Sequence, residues 1–158
     1  MKLPPADIWN RAYIRANAWS FFGIVVHLLL RTLFGLFWLA AAWNKISKDW
    51  LTTDMLQQIY LERLTELPPD AVAVAYLQLL AIPLYPLIAW VRTLGELYAA
   101  VGLLLGLTTR WAAAVSLFIL FNLAIGGYYD ASLLPFFILN FIFLRWPSGL
   151  WLVFDRAL

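Results

Sequence analysis

Apolar residues along the chain gather into four runs separated by short polar breaks. A bilayer span needs about 20 mostly apolar residues. The first run covers about 21–43 and is flanked by Trp19 and by Trp43-Asn44-Lys45, the interfacial anchors expected at span ends. The apolar stretch from Ala71 to Leu107 is too long for one straight helix and is broken by Pro83 and Pro86. Its second part, 84–107, reads as the second span, and 71–82 as an interfacial or partly re-entrant helix with Pro69 near its start. The third span falls at about 111–128 and the short fourth at about 132–146. Thr108-Thr109-Arg110 and Gly126 to Asp130 are connections so short that neighbouring helices must run antiparallel.

Three further segments carry a one-sided apolar pattern and predict amphipathic helices lying at the membrane surface. Residues 4–18 put Ile8, Trp9, Ala12, Tyr13 and Ala16 on one face. In 54–67, Met55, Ile59 and Leu64 share a face, and Asp54 with Gln57 resembles a capping box. The tail 148–158 is apolar apart from Asp155-Arg156. The predicted fold is therefore all-α and integral to the membrane. It is a single domain over 1–158, a four-helix transmembrane bundle with interfacial helices at the N-terminus, in the first loop (44–83) and at the C-terminus.

Composition agrees. The chain is 64% hydrophobic and 13% charged, with a mean hydropathy of +0.80, whereas soluble domains are about 25% charged. Disorder is excluded by the same numbers. No cysteine is present, which removes disulfides, Fe–S clusters and thiolate metal sites. The single histidine excludes a haem held by two histidines of this chain. No basic tract or phosphate-binding motif supports nucleic-acid or nucleotide binding. Residues 1–20 lack the apolar core of a cleavable signal peptide, so the first span is expected to direct insertion. Lys and Arg number six on the side of both termini and three on the side of the first loop. The positive-inside rule then places both termini in the cytoplasm.

Three charges fall inside the predicted spans: Arg31, Arg92 and Glu96. Each costs at least ~2.5 kcal/mol near the bilayer centre on insertion scales and so should face the bundle interior. With the first span centred near Arg31 and the second near Glu96, the two sit at one depth. Arg92 and Glu96 are helical neighbours. An Arg31–Glu96–Arg92 network follows, extended by His27 one turn before Arg31 and by Asn122, Asn140, Gln78 and Tyr98. No metal site is expected. A membrane histidine is able to ligate haem or chlorophyll, but the sequence supplies His27 with no second ligand. Two Arg against one Glu leave a positive excess suited to a carbonyl-bearing or anionic ligand such as a quinone head group, with Phe34, Phe37, Trp38, Phe118 and Phe121 available around its ring. The plainer alternative is that these groups only hold helices together. Gly95, Gly102 and Gly106 mark the second span as a close-packing helix.

Arg31, Gly35 and Lys45 in the first span, with Glu96, Gly102, Gly106 and Thr109-Arg110 around the second, resemble the DoxX-like family of small four-span bacterial membrane proteins. The resemblance covers roughly 28–146 and is strongest over Glu96 to Arg110. It departs in the long first loop and the N-terminal helix. The DoxD branch resembles a subunit of thiosulfate:quinone oxidoreductase. The resemblance therefore implies an association with membrane redox chemistry and quinone, and secures no catalytic residue. The expectation is a small subunit of a quinone-linked membrane complex, with no covalent cofactor and no redox ligands of its own, whose partner subunit carries the redox centre. The alternative is an assembly subunit docking onto a larger energy-transducing complex, in which case the polar cluster should be satisfied internally and enclose no cavity. A small transporter is a third reading, with no broken-helix pair to support it.

Overall fold

The computed structural model describes residues 8–146. It is all-helical over that range, with no strand among the described residues. In chain order the elements are α1 (Arg11–Ala16), α2 (Ala18–Ser47), α3 (Met55–Glu66), α4 (Val72–Tyr76), a π-helical turn (Leu77–Ala81), α5 (Tyr85–Leu105), α6 (Thr109–Ile125), a 3-10 turn (Ala131–Leu133) and α7 (Leu134–Arg145). The first residues of the expected N-terminal helix and the whole C-terminal one lie outside the described range. α2 and α5 are long and apolar enough to cross a membrane. The helices over 72–81, 109–125 and 131–145 are apolar but shorter.

Local chemistry explains most boundaries. The Asn10 side chain caps α1 by accepting from Ala12 N–H. α2 does not stop at Trp43; it runs to Ser47, so Lys45 is inside the helix. Asp49, at φ 54°, then turns the chain and lets Trp50 N–H reach the Lys45 carbonyl at 3.1 Å. The capping box expected at Asp54 does not form: the Asp54 side chain caps nothing, and the Met55 N–H reaches Thr53 Oγ1 at 3.4 Å instead. Pro86 occupies the first turn of α5, where its missing N–H costs nothing. Gly106 ends α5 at φ 71°, and the Asp130 side chain caps the turn into α7. Before α5, Ile82 N–H bonds the Leu77 carbonyl at 2.9 Å, the i→i+5 spacing that widens a helix.

The four longest apolar helices pack in order, α2 on α5, α5 on α6, α6 on α7. Rings close the circle between α7 and α2, with Phe37 and Phe136 at 4.7 Å and Phe34 and Phe143 at 5.8 Å. Small residues permit the close approaches. A Cβ on Gly102 would lie 2.7 Å from the Ala112 Cβ of α6, and one on Gly35 would lie 2.8 Å from Leu104 of α5. α3 and the segment 72–81 pack beside the first half of α5 around Leu56, Tyr60, Leu77, Ala81 and Ala89.

The register between α2 and α5 matters most for function. The antiparallel pair brings Lys45 to Glu96 and Arg31 to Gly106. Glu96 lies midway along α5, whereas Lys45 is near the end of α2. The two helices are therefore staggered by about half the length of α5 rather than centred on each other.

Candidate functional site

The stagger separates the charges carried by α2 and α5 into two stations. At the first, Arg31 is 1% exposed and its guanidinium lies over Gly106, 2.8 Å from where a Cβ there would sit. The cation rests at the C-terminal end of α5, where unpaired carbonyls and the helix dipole favour positive charge. His27, one turn earlier, is buried edge-on to Phe143 at 5.2 Å and Trp146 at 6.5 Å. This surrounding is aromatic, with no cluster of metal-ligating side chains among the described residues.

The second station is built on Glu96, 1% exposed at the middle of α5. Its Oε2 accepts from Lys45 Nζ at 2.7 Å, and its Oε1 accepts from Arg92 Nε at 3.3 Å. The expected Arg31–Glu96 pair is thus corrected: ten residues separate Glu96 from Gly106, roughly 15 Å along α5, and Lys45 takes the place assigned to Arg31. Trp50 covers the station from the first loop, its ring 5.2 Å from Lys45 Nζ and 5.8 Å from the Arg92 guanidinium carbon. Two cations against one carboxylate leave one formal positive charge in excess, and Arg92 is the more exposed cation, 22% against 7% for Lys45.

Arg92 stands between two cavities. The smaller, about 100 Å³, lies among α2, α5, α6 and α7 and includes Trp38, Lys45, Glu96 and Phe136 in its walls. The larger, about 240 Å³, lies between α5, α6 and the segments that precede α5. Its walls are mostly Leu, Ile, Val and Phe, with polar atoms from Tyr60, Tyr76, Arg92, Asn122 and Tyr128. Tyr76 donates its hydroxyl to Asn122 Oδ1 at 3.0 Å, while Asn122 Nδ2 reaches the Phe118 carbonyl at 2.8 Å. Arg92 and Tyr60 both line this cavity, close enough for the Arg92 charge to act on the phenol. Burial pushes Tyr60 up to about 12; the Arg92 charge opposes this, and neighbouring Tyr76 and Tyr128 add to it. Tyr128 is raised by burial as well, against the nearby Arg63. Both phenols thus remain neutral donors at ordinary pH. Arg63 ties this end together: it donates to the Gly127 carbonyl, pairs with Glu66 at 2.5 Å and lies 4.9 Å over the Tyr128 ring.

The other expected site residues are spread out. Asn140 pairs with Ser116, joining α7 to α6 in the core, and its amide also reaches the Phe136 carbonyl at 2.9 Å. Tyr98 meets Thr108 at 3.1 Å, and Gln78 and Arg110 are exposed. Of the aromatic set, Phe37 and Trp38 line the smaller cavity and Phe118 the larger; Phe34 packs in the core and Phe121 stands against Phe137. Sequence reasoning missed Tyr60, Tyr76, Tyr128, Trp50 and Arg63. Only the spacing of Tyr76 seven residues before Pro83 and of Trp50 five after Lys45 put them near the apolar runs, and interfacial aromatics look the same.

The described residues are all helical, with two helices long and apolar enough to cross a membrane and charged side chains buried between them, as in a helical membrane protein. The DoxX family model matches residues 26–127, and the chain belongs to that family. The match begins within α2, includes the long first loop and α3 to α6, and ends before α7. No curated protein and no solved structure matches the chain.

Proposed function

We propose that this DoxX family protein is a quinone-contacting subunit of a membrane redox complex, with the larger cavity as the quinone site. The observation that carries the reading is the cavity itself: a mostly apolar chamber of about 240 Å³ with one cation and a few neutral donors converging on it. Small-molecule sites have this character. A quinone head presents two carbonyl oxygens, for which the Arg92 guanidinium and the Tyr60 and Tyr128 hydroxyls are donors. The ion pair to Glu96 holds the Arg92 side chain at the cavity wall. The chain's own residues bind and orient; electrons come from a cofactor-bearing partner subunit. All four bundle helices cross the bilayer of the bacterial inner membrane in this reading, with both termini cytoplasmic. An assembly subunit without a ligand has no use for such a cavity, and this is the observation that favours the ligand reading over it.

The test is extraction of the protein purified in mild detergent, with chromatographic identification of quinones. About one quinone per chain is expected. A stable preparation with none contradicts the reading.

A further inference from the structure

Resting on that reading, we infer that the larger cavity is loaded sideways from the bilayer, through a mouth between α5 and α6, and that its occupant is an amphiphile whose tail lies in that mouth. The argument is the order of residues along the cavity wall. Leu84, which caps the start of α5, and Leu87 and Val91 on α5 follow one another at helical spacing, and Phe118 lines the same cavity from α6. All four line the cavity, yet they are 45%, 59%, 48% and 57% exposed. A residue that is both wall and surface marks an opening, and on membrane helices such a surface meets lipid. These four are wholly apolar, so the opening offers nothing to a water-borne polar ligand and matches a hydrocarbon chain.

The polar groups border this apolar row: Arg92 follows Val91, Asn122 is one turn from Phe118, and three tyrosines complete the set. Tyr60 is 6% exposed and Gly126 is buried, and with Tyr76 and Tyr128 they stand where α3, the segment 72–81 and the turn after α6 converge. That convergence is fastened by Arg63, which bonds the Gly127 carbonyl and covers Tyr128. The π-helical turn carries Leu80 into the wall, and Leu80, 44% exposed, borders the mouth from the segment before α5. A head group with acceptor oxygens therefore sits against Arg92 and the phenols, with its tail running past Val91 and Leu87 into the leaflet on the side of the long loop. A head group alone leaves the mouth unfilled. Affinity should thus rise with tail length, by roughly threefold to fourfold for each methylene buried in the mouth at ~0.8 kcal/mol.

The experiment uses the full chain in phosphatidylcholine nanodiscs with a ubiquinone analogue carrying a photoreactive diazirine in its alkyl tail. After irradiation, labelled residues are mapped by peptide mass spectrometry, with and without excess decylubiquinone. The expected result is labelling of Leu84, Leu87, Val91 or Phe118 that the competitor abolishes. Competitor-sensitive labelling confined to the loop segments 49–54 and 126–130 overturns the sideways route and leaves the quinone site standing. No competitor-sensitive labelling at any residue overturns both.

Discussion

Lys45 and Glu96, 51 positions apart in the chain, form a 2.7 Å ion pair that is buried on both sides. This pair sets the register of α2 on α5 and holds Arg92 beside it. Removing one member of a buried pair leaves the other charge uncompensated, at a cost of about 3–5 kcal/mol, whereas replacing both with apolar groups is far less costly. Glu96→Gln should therefore lower stability by about 3 kcal/mol, and the double change with Lys45→Met should recover most of it. Denaturant unfolding in detergent micelles measures both. If the double variant is as unstable as the sum of the singles, Lys45 is not the partner that matters.

Arg31 gives the converse expectation. It sits at the far end of the α2–α5 contact, and its guanidinium packs on Gly106. Sites more than about 10 Å apart with no shared partner add within ~0.5 kcal/mol. The effects of Arg31→Met and Glu96→Gln on stability should be additive in a double-mutant cycle. A coupling energy above about 1 kcal/mol would return Arg31 to the Glu96 station.

Gly106→Ala meets two obstacles at once: a left-handed backbone at φ 71° and the Arg31 guanidinium 2.8 Å from the new methyl. A loss of about 2 kcal/mol is expected from a strained position of this kind. Gly23, in α2, has nothing within 4 Å of an added Cβ. Gly23→Ala should then be neutral or stabilising by up to ~1 kcal/mol, the difference in helix propensity. Thermal unfolding of the two variants side by side checks the contrast.

The phenol at Tyr60 supplies a spectroscopic signal. With burial holding it neutral to about 12, the difference in phenolate absorbance between the wild type and Tyr60→Phe should titrate about two units above the ordinary tyrosine value near 10. The unfolded chain ionises this group first, so its contribution to stability is fully present below pH ~10 and is lost as pH rises toward the folded value. A midpoint near 10 would mean that Tyr60 is in water rather than in the cavity wall.

Much of the fold was legible in the sequence because apolar run length, flanking aromatics and proline breaks all act locally. The runs at 21–43, 84–107, 111–128 and 132–146 correspond to α2, α5, α6 and the 3-10 turn with α7, within a few residues at most ends. The charge station was only half legible. Arg92 and Glu96 are one helical turn apart, so spacing alone joins them. Lys45 reads as an interfacial anchor because it follows Trp43 and Asn44, and nothing local says that α2 continues past it. The partner of Glu96 depends on the stagger of α2 on α5, a packing property to which the close approach of Gly35 to Leu104 contributes along with the ion pair itself. The larger cavity was not legible. Its tyrosines come from three separate segments, and the π-helical turn that carries Leu80 into its wall has no sequence signature.

Arg63 should behave as a fastener rather than a core group. It links α3 to the turn after α6 through the Gly127 carbonyl and the Tyr128 ring. Arg63→Met should raise amide hydrogen exchange in 55–66 and 126–130 by about tenfold, corresponding to ~1.4 kcal/mol of local stability. Exchange in the cores of α2 and α5 should be unchanged. A rise spread evenly over all helices would show a global role instead.

The most direct test of the central claim is a titration of decylubiquinone into the chain in nanodiscs, followed by quenching of tryptophan fluorescence, with Trp50, whose ring lies 5.8 Å from the Arg92 guanidinium carbon, as a reporter. The account predicts saturable, one-site quenching, weakened at least about tenfold by Arg92→Gln, a loss of ~1.4 kcal/mol, while helix content by circular dichroism stays at the wild-type level. Quenching that rises without saturation and is the same in both proteins would show only quinone dissolved in lipid, and would contradict it.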